Sequence, residues 1–226
     1  MSDFSPHVVI PLLLWGTLVG LDLVSVPQAM ISRPLVAGVV AGMIAGDIET
    51  GIRIGVLFEL FALDVFPAGA VRYPDYGPAT IAAVALGVGT PWELGLGVSA
   101  ALGLVLAILG GWSLQVVRRW NARAIQRQSA ALAAGESSAI RKLQYGGILR
   151  DAARALILTL AGLVLASTIA ESVRLDRQTA VAFTLVAIGS ALAAAASGAF
   201  RSSGRGTRLK WLIAGVATGI VLAVLT

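Results

Sequence analysis

Residues 93–117, 155–172, 178–200 and 211–226 are long runs of Ala, Leu and Val with almost no internal charge. Runs of this kind constrain the fold more than any other feature of the chain. Across all 226 residues 57% are hydrophobic and only 13% charged, against roughly 25% charged in soluble domains. A water-soluble fold of this size cannot hide so much apolar surface, so much of the surface must face lipid. In lipid every backbone N–H and C=O has to be paired within the protein, which leaves helices or a closed barrel. The runs show no in/out alternation, which argues against a barrel. The four runs read as spanning helices, the last of them short. Trp92, Trp112, Trp120 and Trp211 stand at or near run ends, as interfacial aromatics do.

The N-terminal half has a different texture. Its first apolar run, about 5–27, contains Pro6, Pro11, Asp22 and Pro27; shorter runs follow at 34–46, 50–71 and 77–91. The second short run is interrupted by Arg53, Glu59, Asp64 and Pro67, and the third is flanked by Pro78 and Pro91. A helix of 13–15 residues reaches only about 20 Å, and the hydrocarbon core is about 30 Å thick. Half-helices and re-entrant hairpins, tolerated only against protein or a wet cavity, are the natural reading. The expected fold is therefore an all-α integral membrane protein, a polytopic helix bundle with short, broken or re-entrant helices in its N-terminal half. It divides into 5–117 with broken helices, a basic hairpin at 118–154 and spanning helices in 155–226, all within one membrane domain, 1–226.

Charge distribution sets the expected orientation. Of 17 Lys and Arg, eight lie in 118–154 and four in 201–210. Both segments fall between apolar runs, so the positive-inside rule places both in the cytoplasm. Residues 171–177 then face outside. The net charge of +5 follows from this clustering and needs no nucleic-acid partner. Within the hairpin, the Ala-rich stretch 122–134 favours helix, Gly135 breaks it, and Ser137 or Ser138 is placed to cap a second helix. The chain has no cysteine and one histidine, His7, which excludes disulfides, thiolate metal sites and a His-based metal cluster; no cofactor and no metal are expected. The N-terminus lacks the features of a secretory signal, so the first run is expected to stay in the mature protein.

Eight of the twelve acids lie in the first 93 residues, with only three of the basic residues. A charge at bilayer depth costs a few kcal/mol and usually faces a cavity or pathway. Asp22, Glu59 and Asp64 sit inside apolar runs, and Asp75 follows Pro74 in an Arg-Tyr-Pro-Asp-Tyr turn. Each has a structural alternative. Glu59 would brace a hairpin by pairing with Arg53 or Arg72; Asp22 would sit at a helix end near water; Asp47 would cap the helix after it; Asp75 would order its turn. No acid/base dyad or nucleophile–His set is present, so an enzyme of the soluble type is not expected. Gly38, Gly42 and Gly46 recur every four residues, with Gly51 and Gly55 beyond. Small residues at this spacing let membrane helices approach closely, and interrupted half-helices at mid-depth are what transporters use for binding.

From Ser32-Arg33-Pro34-Leu35-Val36, through Gly46-Asp47-Ile48-Glu49-Thr50-Gly51 and Ile54-Gly55-Val56-Leu57-Phe58-Glu59-Leu60, to Ala68-Gly69-Ala70 and Pro74-Asp75, the sequence resembles IIC subunits of the mannose/fructose/sorbose-type phosphoenolpyruvate sugar phosphotransferase system. Ala130–Ala134, Gly135, Ile140, Gln144 and Arg154 resemble that family's central cytoplasmic segment. The match covers roughly 10–155. It departs from the mannose type at Asp64 and Pro67, where Gly and Asn are usual, and at Met30, where Gln would stand and Gln28 is the nearest candidate.

The resemblance implies a multi-pass subunit of the bacterial inner membrane. It would pair with a second membrane subunit, IID, in an oligomeric assembly, while soluble IIA and IIB carry phosphate to a hexose or amino sugar as it is released inside. Glu59 and Asp75 match the family's acidic positions and are expected to accept hydrogen bonds from sugar hydroxyls. Asp64, Gln28 and Asp47 complete the expected substrate-binding set, and no catalytic residue is expected in this chain. Two other readings stay open: a stand-alone secondary transporter with Glu59 or Asp64 as its ion site, and a non-transporting scaffold or regulatory subunit.

Overall fold

The computed structural model describes residues 5–65, 73–88, 90 and 92–201. Among these every regular element is a helix, in the order α1 (Pro6–Asp22), α2 (Pro34–Ala45), α3 (Ile48–Ala62), α4 (Tyr76–Gly87), α5 (Trp92–Arg127), α6 (Ser129–Ala133), α7 (Ser137–Ser172) and α8 (Arg177–Arg201). Pro67, the Ala68-Gly69-Ala70 motif, Arg72, Pro91, most of the 201–210 basic segment and the 211–226 run with Trp211 lie outside the described residues.

The division between short and long helices follows the sequence. Segments within α5, α7 and α8 are long and apolar enough to cross a membrane, whereas α1, α2 and α4 are shorter apolar helices of 17, 12 and 12 residues. Prolines open two of the short ones, Pro6 in α1 and Pro34 in α2, where the missing N–H costs nothing. α2 ends at Gly46, whose φ of 79° is the left-handed conformation that glycine adopts without penalty. The Gly46 N–H donates to Met43 O and the Asp47 N–H to Gly42 O, which closes the helix end in a Schellman arrangement. Asp47 then caps α3 within one residue, so α2 and α3 form a tight antiparallel hairpin.

Backbone contact holds that hairpin together. A methyl added at Gly51 would lie 2.5 Å from Gly38 O and 2.8 Å from Gly42 Cα, and one at Gly42 would lie 2.6 Å from Asp47 O. The four-residue glycine spacing is therefore a packing seam between two short helices, buried along Gly38, Gly42, Gly51 and Gly55. A helix of 12–15 residues spans only about 20 Å, which fits a hairpin that enters the membrane and returns.

Every residue of α4 from Gly77 to Gly87 is buried. A helix that is apolar all round belongs at the centre of a bundle, and α4 packs against α1, α2, α3, α5 and α7. Around it the core runs from Val19 and Ala37 through Ile54, Phe58 and Ile81 to Leu106 and Leu163. Leu156, Ile157, Leu160, Val164, Leu185 and Val186 are exposed on α7 and α8, the lipid-facing surface expected of spanning helices.

The basic hairpin differs from its expected form. α5 and α7 each run unbroken for 36 residues, about 54 Å, well beyond a 30 Å core. The polar segment is thus the overhang of two spanning helices joined by α6, and Gly135 (φ 75°) turns the chain back. The residue capping α7 is Glu136, with Ser137 as the first helical residue; neither Ser137 nor Ser138 is the cap, because the chain leaves the Gly135 turn one residue sooner. At the other end of α7 the Asp176 carboxylate caps α8, accepting from the Thr179 N–H at 3.0 Å and its hydroxyl at 2.7 Å. These bonds hold the exposed Asp176 carboxyl below its ordinary value.

Candidate functional site

Glu59 lies in the last turn of α3, and Arg33 immediately precedes α2. The hairpin brings them together: the Arg33 guanidinium donates to Glu59 Oε1, and the Leu35 N–H donates to Oε2 at 3.2 Å. Glu59 thus satisfies an orphan donor in the first turn of α2 while its side chain keeps 20% of its surface exposed. The expected hairpin brace exists, but its partner is Arg33. Arg53 instead bonds Glu49, one turn away on the same helix, because four residues on a helix bring two side chains to one face.

Asp75 is the N-cap residue of α4 and has no exposed surface. Its N–H donates to Ala107 O of α5 at 2.9 Å. Its Oδ2 accepts from Arg154 Nη1 at 2.7 Å, while its Oδ1 has no hydrogen-bond partner among the described residues. Arg154, on α7, also donates through Nε to Asp151 Oδ1 at 2.9 Å and through Nη2 to Gly20 O at 3.2 Å. Asp151 Oδ2 accepts from the Ser25 hydroxyl at 2.6 Å. Four parts of the chain therefore meet in one buried ionic cluster: the end of α1, the 23–33 loop, the start of α4 and the middle of α7. Removing one partner from such a cluster strands the others and costs about 3–5 kcal/mol.

The remaining expected site residues are dispersed. Asp47 bonds Thr50 with both oxygens, the N–H at 3.0 Å and the hydroxyl at 2.6 Å, so its carboxylate serves the helix start. Asp64 stands in the turn closing α3, where its N–H donates to Phe61 O at 3.2 Å. Gln28 is exposed in the loop after α1, with a φ of 59°. Asp22, expected at a helix end near water, sits at the end of α1 but is buried; it accepts from the Ala29 and Ser32 N–H groups and so folds that loop back over itself. Glu59 and Asp75 keep separate partners, Arg33 with the Leu35 N–H for the one and Arg154 for the other; the helices that carry them meet through the rings of Phe58 and Tyr76, 6.1 Å apart.

The family model described as "PTS system sorbose-specific iic component" matches residues 7–200. The chain belongs to this family. It is a multi-pass membrane protein of the sorbose/mannose IIC type, and the Arg33–Glu59 hairpin and the Asp75 turn both lie inside the matched region. Among solved structures, one described as "Structure of membrane protein" shares its fold with a TM-score of 0.76 at 20% identity, covering 99% of this chain and 96% of that one. Another, described as "CryoEM Structure of Mannose Transporter ManYZ and Microcin E492 (MceA) complex", gives a TM-score of 0.63 at 20% identity, covering 99% of this chain and 95% of that one. No curated protein matches the sequence.

Three members of the buried cluster, Ser25, Asp151 and Arg154, are not among the sequence candidates for the site. Asp151 and Arg154 were grouped with the cytoplasmic hairpin, yet both are buried against α1 and α4. The available signal was their position: an acid and a base three residues apart, directly ahead of an apolar run.

Proposed function

We propose that this chain is the IIC subunit of a mannose-type sugar phosphotransferase system in a bacterial inner membrane. With a IID membrane subunit it forms the pathway for a hexose or amino sugar, which is phosphorylated by IIB, itself charged by IIA. The family match across residues 7–200 carries this reading. The absence of any cysteine and the terminal place of the single histidine accord with phosphate being carried by other subunits. The likeness of fold to a chain of a mannose transporter complex supports a membrane partner.

Within the chain, Glu59 and Asp75 are the proposed acceptors for sugar hydroxyls. Glu59 is the more accessible, and Asp75 offers an uncommitted carboxylate oxygen. Asp64 follows the end of the helix that carries Glu59, and Gln28 lies in the loop that carries its partner Arg33; both are secondary candidates, and Asp47 is a capping residue. The test is uptake of labelled hexoses and hexosamines by membranes holding the complete complex. Glu59→Gln and Asp75→Asn should each insert normally and lose most uptake. Unchanged uptake in both variants rejects the site.

A further inference from the structure

The proposed acceptor Asp75 is not held by its own turn. Its side chain makes no capping bond within α4, and the group that fixes it comes from a helix 79 residues later. Arg154 approaches with its three nitrogens divided: Nη1 donates to Asp75 Oδ2, Nε to Asp151 Oδ1, and Nη2 to Gly20 O. A planar guanidinium with its donors committed in three directions is fixed in orientation, so the carboxylate on Nη1 is fixed too. Asp151 is anchored in turn by the Ser25 hydroxyl. The arrangement consumes Asp75 Oδ2 and leaves Oδ1 as a fully buried acceptor without a partner among the described residues. Leaving a buried acceptor without a donor is unfavourable, so such a group calls for an explanation; a ligand that brings the missing donor supplies one.

We infer that Arg154, backed by Asp151 and Ser25, is a positioning residue that turns Asp75 so that Oδ1 is presented to a substrate hydroxyl. The inference rests on the transport reading above and deepens it. Arg154 touches no sugar. It sets which oxygen of Asp75 is offered and at what angle, and through Ser25 it ties that angle to the loop between α1 and α2. Lysine at this place would retain one positive charge but could not reach three acceptors with fixed geometry. The loss would fall on binding rather than on the rate at saturation, which is the signature of an interaction made equally in the ground and transition states.

The experiment measures KM and maximal rate for uptake of a labelled hexose and hexosamine panel, including D-mannose and L-sorbose, by membranes carrying the full complex. Arg154→Lys should raise KM about tenfold with the maximal rate held within about twofold. In an Asp75→Asn background the same change should add nothing to KM, because the two residues act through one oxygen. A fall in maximal rate at constant KM, or effects that add across the two positions, overturns the positioning role and leaves a structural one. Should Arg154→Lys fail to insert, Ser25→Ala carries the test. It removes the outermost link of the chain without stranding a buried cation, and it should raise KM by a smaller factor that Asp75→Asn likewise masks. Unchanged KM in Ser25→Ala then overturns the inference. Wild-type membranes that take up no sugar of the panel overturn the transport reading and this inference with it, whereas wild-type uptake with unaltered KM in the variants overturns the Arg154 assignment alone.

Discussion

Replacing Gly51 by alanine should pry apart the α2–α3 hairpin, and the size of the effect follows from the geometry. The added methyl would lie 2.5 Å from Gly38 O and 2.8 Å from Gly42 Cα. Both obstacles are backbone, which cannot rotate out of the way. Comfortable carbon contacts are about 3.5–4.0 Å, so the helices must separate by roughly 1 Å along the seam. α2 is fixed on its other faces by α1 and α4, and Trp15 Nε1 bonds Ala37 O at 3.1 Å, so the strain cannot be relieved by letting α2 drift freely. Overpacking of this kind costs about 1–3 kcal/mol, and for a chain of this size each kcal/mol lowers Tm by about 2–4 °C. Thermal unfolding in detergent should therefore show a drop of several degrees for Gly51→Ala. Gly189→Ala serves as the control: a methyl there meets nothing within 4 Å, and alanine is the better helix former by about 1 kcal/mol, so Tm should hold or rise. If Gly51→Ala melts with the wild type or above it, the backbone-to-backbone seam is wrong.

Three further outcomes follow from local geometry. Gly103 packs directly on the ring of the fully buried Phe58. Gly103→Ala should destabilise by about 1–3 kcal/mol, and Phe58→Leu in the same chain should recover part of the lost Tm, since a smaller side chain makes room for the methyl. Asp47→Ala removes the cap of α3 and should cost about 1 kcal/mol, with Asp47→Asn close to wild type. The Asp176 carboxyl is held below its ordinary value of 3.8 by the Thr179 hydroxyl and N–H. A carboxyl depressed in the folded state stabilises above its unfolded pKa and loses that contribution as pH falls through the folded value. Amide exchange at the start of α8 should therefore accelerate as pH drops below about 3.8 relative to a mid-helix reference, and Asp176→Asn should abolish that difference.

The sequence announced the membrane, the long helices and the interrupted character of the N-terminal half, because apolar run length and proline placement are local properties. The hairpin seam was half legible: the glycine spacing marked close packing, but only the pairing of Gly38 and Gly42 with Gly51 shows that the two glycine groups face each other. Glu59 was recognised as a candidate and its partner missed. Arg53 is near in sequence, whereas Arg33 reaches Glu59 only after the chain reverses at Gly46 and Asp47. Asp75 was likewise expected to matter, but its restraint comes from Arg154. No periodicity reports a contact between residues so far apart in sequence. The burial of Asp151 and Arg154 was hidden for a related reason. Charge marks water on average, and a charge buried against an opposite one breaks that rule.

The most direct test of the central claim is the energy source for sugar uptake. Membrane vesicles holding the chain with its IID, IIB and IIA partners are loaded with phosphoenolpyruvate and the general phosphocarriers, and uptake is followed with and without collapse of the proton gradient. The IIC reading predicts phosphorylated sugar inside, uptake that stops without phosphoenolpyruvate, and no dependence on the gradient. Accumulation of free sugar that ceases when the gradient collapses would contradict it and identify a secondary transporter.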